Sequence, residues 1–227
     1  MFGKRIREIF TRPGKPSGPH SRPAPLPRLP QLPANHVKRS LGLSHFVASI
    51  RDSSGLSILD LGELSQPNVS FITSLGHRLH SVDFIRLLDS FTAPGDPPGG
   101  PAHRNRMEAF LDQTLGFAPG SLDGALVWDS LQYLSRPLLL ATIDRLHQIL
   151  RPGAPLLALF HATEHPVIVP VYSFRIENAE TLHLSRRAER ELVEVFNNRS
   201  IERLFDQFDS IKFFLTRDHL REVILRR

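Results

Sequence analysis

The sequence predicts an α/β fold: a mostly parallel sheet with helices on both faces, ending in an antiparallel hairpin. Three stretches carry that expectation. Ser57–Phe84 reads as strand, helix, strand with short connections, a right-handed βαβ unit. Ala125–Phe160 repeats the pattern, and the repetition favours parallel pairing in one doubly wound sheet. Ile211–Leu215 and Leu220–Arg226 flank the turn Thr216-Arg217-Asp218, which reads as a hairpin.

Composition sets the outer limits. The chain has 227 residues, 41 % of them apolar and 22 % charged, which suits a single buried core with flanking segments. No apolar run approaches the roughly 20 residues needed to span a bilayer, and the start lacks the apolar core of a secretory signal. With no cysteine there are no disulfides or thiolate metal sites, which fits a cytoplasmic address. The net charge of +5 is unevenly placed: residues 1–40 hold nine Lys and Arg against Glu8 alone. The remainder is net acidic, so no nucleic-acid partner is expected.

Residues 1–36 therefore read as a basic, proline-rich flexible leader. Within it Met1–Phe10 reads as a frayed, solvated chain end, though its spacing also allows a short basic amphipathic helix in weak contact with a membrane surface or a partner. Pro13–Pro33 reads as a spacer, with Pro27, Pro30 and Pro33 at polyproline II spacing. Residues 37–227 form the expected folded domain. Val37–Ile50 has helical periodicity.

Ser57-Ile58-Leu59-Asp60-Leu61-Gly62 is a short apolar strand stopping at an acid and a glycine. Pro67 suits a first helical turn, and Gly76 stands where a glycine ends a helix. Leu79–Asp83 is the next strand and Ile85–Phe91 a short helix. Thr92–Pro101 holds too much proline and glycine for a regular element. Met107–Leu111 suits either a third strand or a helix. Ala125–Asp129 is a buried strand with an acid at its end, Ser135 a cap for the helix to Leu150, and Leu156–Phe160 the fifth strand. Tyr172, Phe174 and Ile176, then Leu182 and Leu184, alternate as in a hairpin laid over the sheet. The mixed charges of Arg186–Glu194 read as solvated helix, and Ser200–Phe208 as a helix with one apolar face.

Ligands of such a sheet bind at the carboxyl ends of its strands. Asp60, Gly62 and Asp83 lie there, and Asp83 follows Gly62 by 21 residues, the layout in which an acid grips both ribose hydroxyls. The intervening turn, Gly62-Glu63-Leu64-Ser65-Gln66-Pro67-Asn68, has one glycine, and the Glu63 carboxylate repels phosphate. It suits a cationic group better.

Ile58-Leu59-Asp60-Leu61-Gly62 with Asp83 resembles the first two motifs of the class I S-adenosylmethionine-dependent methyltransferases. Leu122-Asp123-Gly124 through Trp128-Asp129 resembles their fourth motif, and Leu150-Arg151-Pro152-Gly153 the turn before their fifth strand. The resemblance covers about residues 40–227. It implies a Rossmann-like methyltransferase fold, S-adenosyl-L-methionine as cofactor, and methyl transfer to an acceptor, small molecule or protein, that the sequence does not identify. It places Asp60 and Gly62 beside the methionine part, Asp83 at the ribose, Asp112 at the adenine and Asp129 near the methyl group, with Glu63 and Phe84 also expected to touch the cofactor. Residues 165–198 would form a lid or insertion over the acceptor. His161 and His165, after the fifth strand, are candidate proton acceptors.

The first motif departs from the family pattern, because Glu63 and Ser65 stand where bare glycine backbone touches the cofactor. Asn68 offers a side-chain amide in place of a lost backbone contact. The same departure supports a second expectation, a catalytically inactive binding or scaffold protein. His161-Ala162-Thr163-Glu164-His165 matches H-x-x-E-H, but it follows a strand and runs into Pro166, so no metal site is expected.

Overall fold

A computed structural model describes residues 26–29, 33–91, 100–192, 194–216 and 218–227. The Met1–Phe10 segment, most of the proline-rich run and most of the Thr92–Pro101 loop lie outside them. The first elements are β1 (Asn35–Arg39), α1 (Leu41–Ile50), β2 (Ser57–Asp60), α2 (Gln66–Ser74), β3 (Arg78–Ser81) and α3 (Phe84–Phe91). They are followed by α4 (Pro101–Leu115), β4 (Gly124–Trp128), a 3-10 turn (Ser130–Tyr133), α5 (Arg136–Ile149) and β5 (Pro155–His161). The long strands β6 (Val167–Asn178) and β7 (Thr181–Leu192) precede α6 (Asn198–Leu204), β8 (Ser210–Leu215) and β9 (Leu220–Arg226).

Six strands form the central sheet in the order β3-β2-β4-β5-β9-β8. The first four are parallel, and β9 enters antiparallel between β5 and β8. Period-2 alternation divides the core between the two faces. Leu59, Val127 and Phe160 meet α3–α6 on one side; Ile58, Leu126 and Leu159 meet α1 and the second sheet on the other. Gly76, at φ +81°, ends α2 in the left-handed region that a side chain would strain.

The second sheet is three-stranded, β1-β7-β6. The β6–β7 hairpin follows β5 and reaches over the carboxyl ends of the parallel strands. The expected hairpin is thus present, and it is longer than its apolar alternation suggested.

Two sequence expectations need correction. Val37–Ile50 is not one helix: β1 pairs with β7, Val37 opposite His183, and α1 starts only after Ser40. The Ser40 side chain accepts from Leu43 N–H at 3.0 Å, an N-cap that resets the chain from extended to helical. Within the stretch expected as helix from Arg186 to Glu194, Arg186–Leu192 is instead the far half of β7, and the ladder to β6 overrides the helical spacing of its charges. Of the two readings open for Met107–Leu111, the helix holds: the segment lies in α4, and β3 ends the sheet.

A buried ion cluster fixes the second sheet to the first. Lys38 on β1 contacts Asp218 at 2.9 Å and Glu222 on β9 at 3.0 Å. The other Glu222 oxygen accepts from Gly42 N–H, at the start of α1, at 2.7 Å. β1 starts at Asn35, just inside the segment expected as leader, and residues 27–29 also touch the fold: Arg28 bridges to Ile168 on β6.

Candidate functional site

β2, β3, β4 and β5 deliver Asp60, Asp83, Asp129 and His161 to one end of the sheet, as parallel pairing in register requires. Asp60 is 1 % exposed and carries three donors. The Trp128 indole Nε1 donates to Oδ1 at 2.6 Å, Gly62 N–H to the same oxygen at 2.9 Å, and Asn68 Nδ2 to Oδ2 at 3.0 Å. Burial raises the Asp60 pKa, and the bonds from Asn68, Trp128 and Gly62 oppose that shift.

Trp128 fills the space above the Gly62 turn. A Cβ on Gly62 would meet the indole Nε1 at 2.9 Å, so here the glycine admits tryptophan. The indole stacks on Phe174 of β6, ring centroids 5.0 Å apart and planes 3° apart. Trp128 sits at φ 54°, where a bulky residue is strained, beside a register shift between β4 and β5.

Asn68 closes the corner from the α2 side. Its Nδ2 also donates to Phe174 O at 3.0 Å, and its Oδ1 accepts from Ile176 N–H at 2.8 Å. The amide thus ties β2, α2 and the hairpin together.

Asp83 and Glu63 face the hairpin's cations. Asp83 Oδ2 lies 3.3 Å from Arg187 Nη2, while its Oδ1 caps Arg86 N–H at 3.2 Å. Glu63 accepts from the Ser173 hydroxyl and lies 3.6 Å from Arg187 Nε. The acid of the turn does meet a cation, the chain's own. Arg190 pairs with Asp89 further along β7.

Asp129 is 2 % exposed and accepts from Tyr133 Oη at 2.8 Å. Burial pushes it up to about 7, against the bonds from Tyr133 and the Tyr172 backbone. His161 is equally buried. Gln132 Oε1 accepts from its backbone N–H, so Gln132 Nε2 points as donor to its Nδ1 at 2.9 Å. That leaves the imidazole proton on Nε2, buried without a partner among the described residues, and burial pushes the ring down to about 3 and keeps it neutral. The Nδ1 lone pair is therefore engaged.

The other expected residues lie apart from this corner. His165 is exposed in the β5–β6 connection. Phe84 is fully buried, packed edge-on against Phe110. Asp112 sits on α4 paired with Arg145 at 3.0 Å, with no strand to aim it at a ligand. Among the described residues no cluster of three or more His, Cys, Asp or Glu could hold a metal. None of their helices is long and apolar enough to cross a membrane. A groove of about 810 Å³ lies elsewhere, between α2 and the second sheet, lined in part by Val37, Phe71, Arg175 and His183.

No local pattern in the sequence marks Trp128, Phe174 or Arg187 as parts of this corner. The available signal was the loss of glycine after Gly62, which showed that something other than cofactor could lie on the turn.

No family profile and no curated protein matches the chain. Among solved structures it is similar to 1,6-didemethyltoxoflavin-N1-methyltransferase of Burkholderia thailandensis, at 14 % identity and TM-score 0.48 over 82 % of this chain and 76 % of that one. It is similar to a SAM-dependent methyltransferase of Archaeoglobus fulgidus at 7 % identity and TM-score 0.48, over 82 % and 91 %. A SAM-dependent methyltransferase of Methanosarcina mazei shares 17 % identity at TM-score 0.43, over 77 % and 93 %. At TM-scores below 0.5 these similarities carry no argument by themselves. The strand order, parallel through β5 with β9 inserted antiparallel beside it, carries the assignment: the fold is the Rossmann-like fold of the class I S-adenosylmethionine-dependent methyltransferases.

Proposed function

We propose that this chain is a methyltransferase-fold binding protein whose cofactor corner is closed by its own side chains, so that in this form it transfers no methyl group. The observation that carries the reading is Trp128 lying on Gly62, bonded to Asp60 and stacked on Phe174. The residues set out for S-adenosyl-L-methionine do not fit it in this arrangement: Asp60 already has three donors, and Asp83 holds Arg187. Burying an aromatic ring of about 200 Å² contributes about 5 kcal/mol at roughly 25 cal/mol/Å². Lifting it out first would weaken an intrinsically micromolar ligand about 4,000-fold, into the millimolar range.

A second reading, a working S-adenosyl-L-methionine-dependent methyltransferase resting in a closed state, is favoured by one feature. Trp128 is strained where Asp60, Asp83 and Asp129 are all retained at the strand tips. A leader ahead of one domain, with the folded part beginning at Asn35 rather than at residue 37 and a lid over 165–198, belongs to both readings. Calorimetric titration of the full chain with S-adenosylhomocysteine separates them. The closed form gives no heat of binding below millimolar ligand. A micromolar Kd that Asp83→Ala abolishes overturns the first reading and supports the second.

A further inference from the structure

We infer that residues 27–29 act as a strap holding the root of the β6–β7 hairpin down, and that releasing the strap loosens the closed corner. The inference rests on the closed-corner reading.

The root of the hairpin belongs to neither main core. Val167, Val169 and Leu192 form a small cluster of their own, and the groups packed against it are Leu29 and Tyr133. The preceding connection, residues 162–166, has no regular structure, and its Glu164, His165 and Pro166 are exposed, so it supplies little packing. The strap supplies what is missing. Ile168 N–H donates to Pro27 O at 2.9 Å, and Leu29 N–H donates to Ile168 O at 3.1 Å, a short parallel addition to the β6 edge. Arg28 adds an ion pair to Glu189 on β7 at 3.6 Å, so both strands of the hairpin are touched. Proline at 27 presents its carbonyl while having no N–H to leave unsatisfied on the solvent side.

The strap is linked to the corner through Tyr133. One side of that ring packs with Leu29 against the root cluster, and its hydroxyl donates to Asp129 at the tip of β4, next to Trp128. The hairpin itself carries Phe174, the stacking partner of Trp128, six residues beyond Ile168 on β6. Freeing the root removes one anchor of the hairpin, leaving the β1 ladder to β7, together with Asn68, Ser173, Phe174 and Arg187, to hold it from the far side. Any partner that captures the proline-rich segment around Pro27 would pull in this direction.

Trp128 is the chain's one tryptophan, so its fluorescence reports the corner directly. The test compares acrylamide quenching of Trp128 and amide exchange at Ile168–Val171 in the full chain and in Leu29→Asp. A strap gives at least about a threefold rise in the quenching constant and about tenfold faster exchange at the root, a loss of about 1.4 kcal/mol of local stability. The amides of β2 and β4 stay protected. Unchanged quenching and exchange overturn the inference. Because Leu29→Asp can fail to fold, a second variant carries R28C with I168C, facing positions in a chain that has no cysteine. Its oxidised form is expected to show lower quenching than its reduced form, reversibly; equal quenching in both overturns the strap. Micromolar binding of S-adenosylhomocysteine by the parent would defeat the closed-corner reading instead, and is measured separately.

Discussion

Replacing Trp128 by glycine removes the group on which the closed corner depends. Loss of the buried ring costs about 5 kcal/mol from area, and Trp→Ala truncations in cores cost about 3–5 kcal/mol. Asp60, 1 % exposed, also loses its 2.6 Å donor, which adds about 1 kcal/mol. Against this, glycine relieves the φ of 54°, returning about 1–2 kcal/mol. The net expectation is a fold about 3–5 kcal/mol less stable in urea denaturation. The vacated volume lies on the Gly62 turn, so the same variant is expected to bind S-adenosylhomocysteine at least about 100-fold more tightly than the parent by calorimetry. Trp128→Phe keeps a ring for Phe174 but gives Asp60 no donor, and is expected to lose about 1–3 kcal/mol without gaining ligand. A Trp128→Gly variant within about 1 kcal/mol of the parent, or one whose affinity for the ligand is unchanged, would refute the reasoning.

Four further outcomes follow from the same geometry. Asn68→Ala strips partners from the Asp60 carboxylate, the Phe174 carbonyl and the Ile176 N–H together, and is expected to cost about 3 kcal/mol in urea denaturation. Lys38→Met leaves Glu222, fully buried, without its cation and is expected to cost about 3–5 kcal/mol by the same assay, several times more than Arg39→Ala at the exposed pair with Glu180. Asp129, pushed up from 3.8 to about 7, binds a proton in the fold that the unfolded chain releases between about pH 4 and 7. The parent should therefore gain stability over Asp129→Asn as pH falls through that window, by about 1 kcal/mol per unit, in paired denaturation curves. His161, pushed down to about 3, works the other way: below about pH 6.5 the unfolded chain takes up a proton that the fold refuses, and His161→Gln should remove that loss.

The sheet was legible because its signals are local. Ile58-Leu59-Asp60, Ala125–Trp128 and Leu156–Phe160 are apolar runs bounded by turns, and the Thr216–Asp218 turn marks the closing hairpin. Where non-local pairing decided the outcome, local pattern misled. Val37 fits a helix by spacing but is held extended opposite His183, and the charges of Arg186–Glu191 fit a helix but follow the β6 ladder. The acids at the strand tips were legible one by one, each ending a strand. That the chain itself satisfies them was not, because the donors come from Trp128, Asn68 and Arg187, which lie 68, 8 and 104 residues from the carboxylates they reach. The one visible hint was the turn after Gly62, where Glu63 and Ser65 replace bare backbone.

With a single tryptophan, the chain has a single indole N–H resonance, and it reports both the occupant of the corner and any ligand that displaces it. If Trp128 is bonded to Asp60 beneath Phe174, that proton exchanges slowly with water and keeps its shift when S-adenosylhomocysteine is added to about 1 mM. A proton lost within the dead time of the exchange experiment, or a shift that saturates at micromolar ligand, would contradict a corner closed by the protein itself.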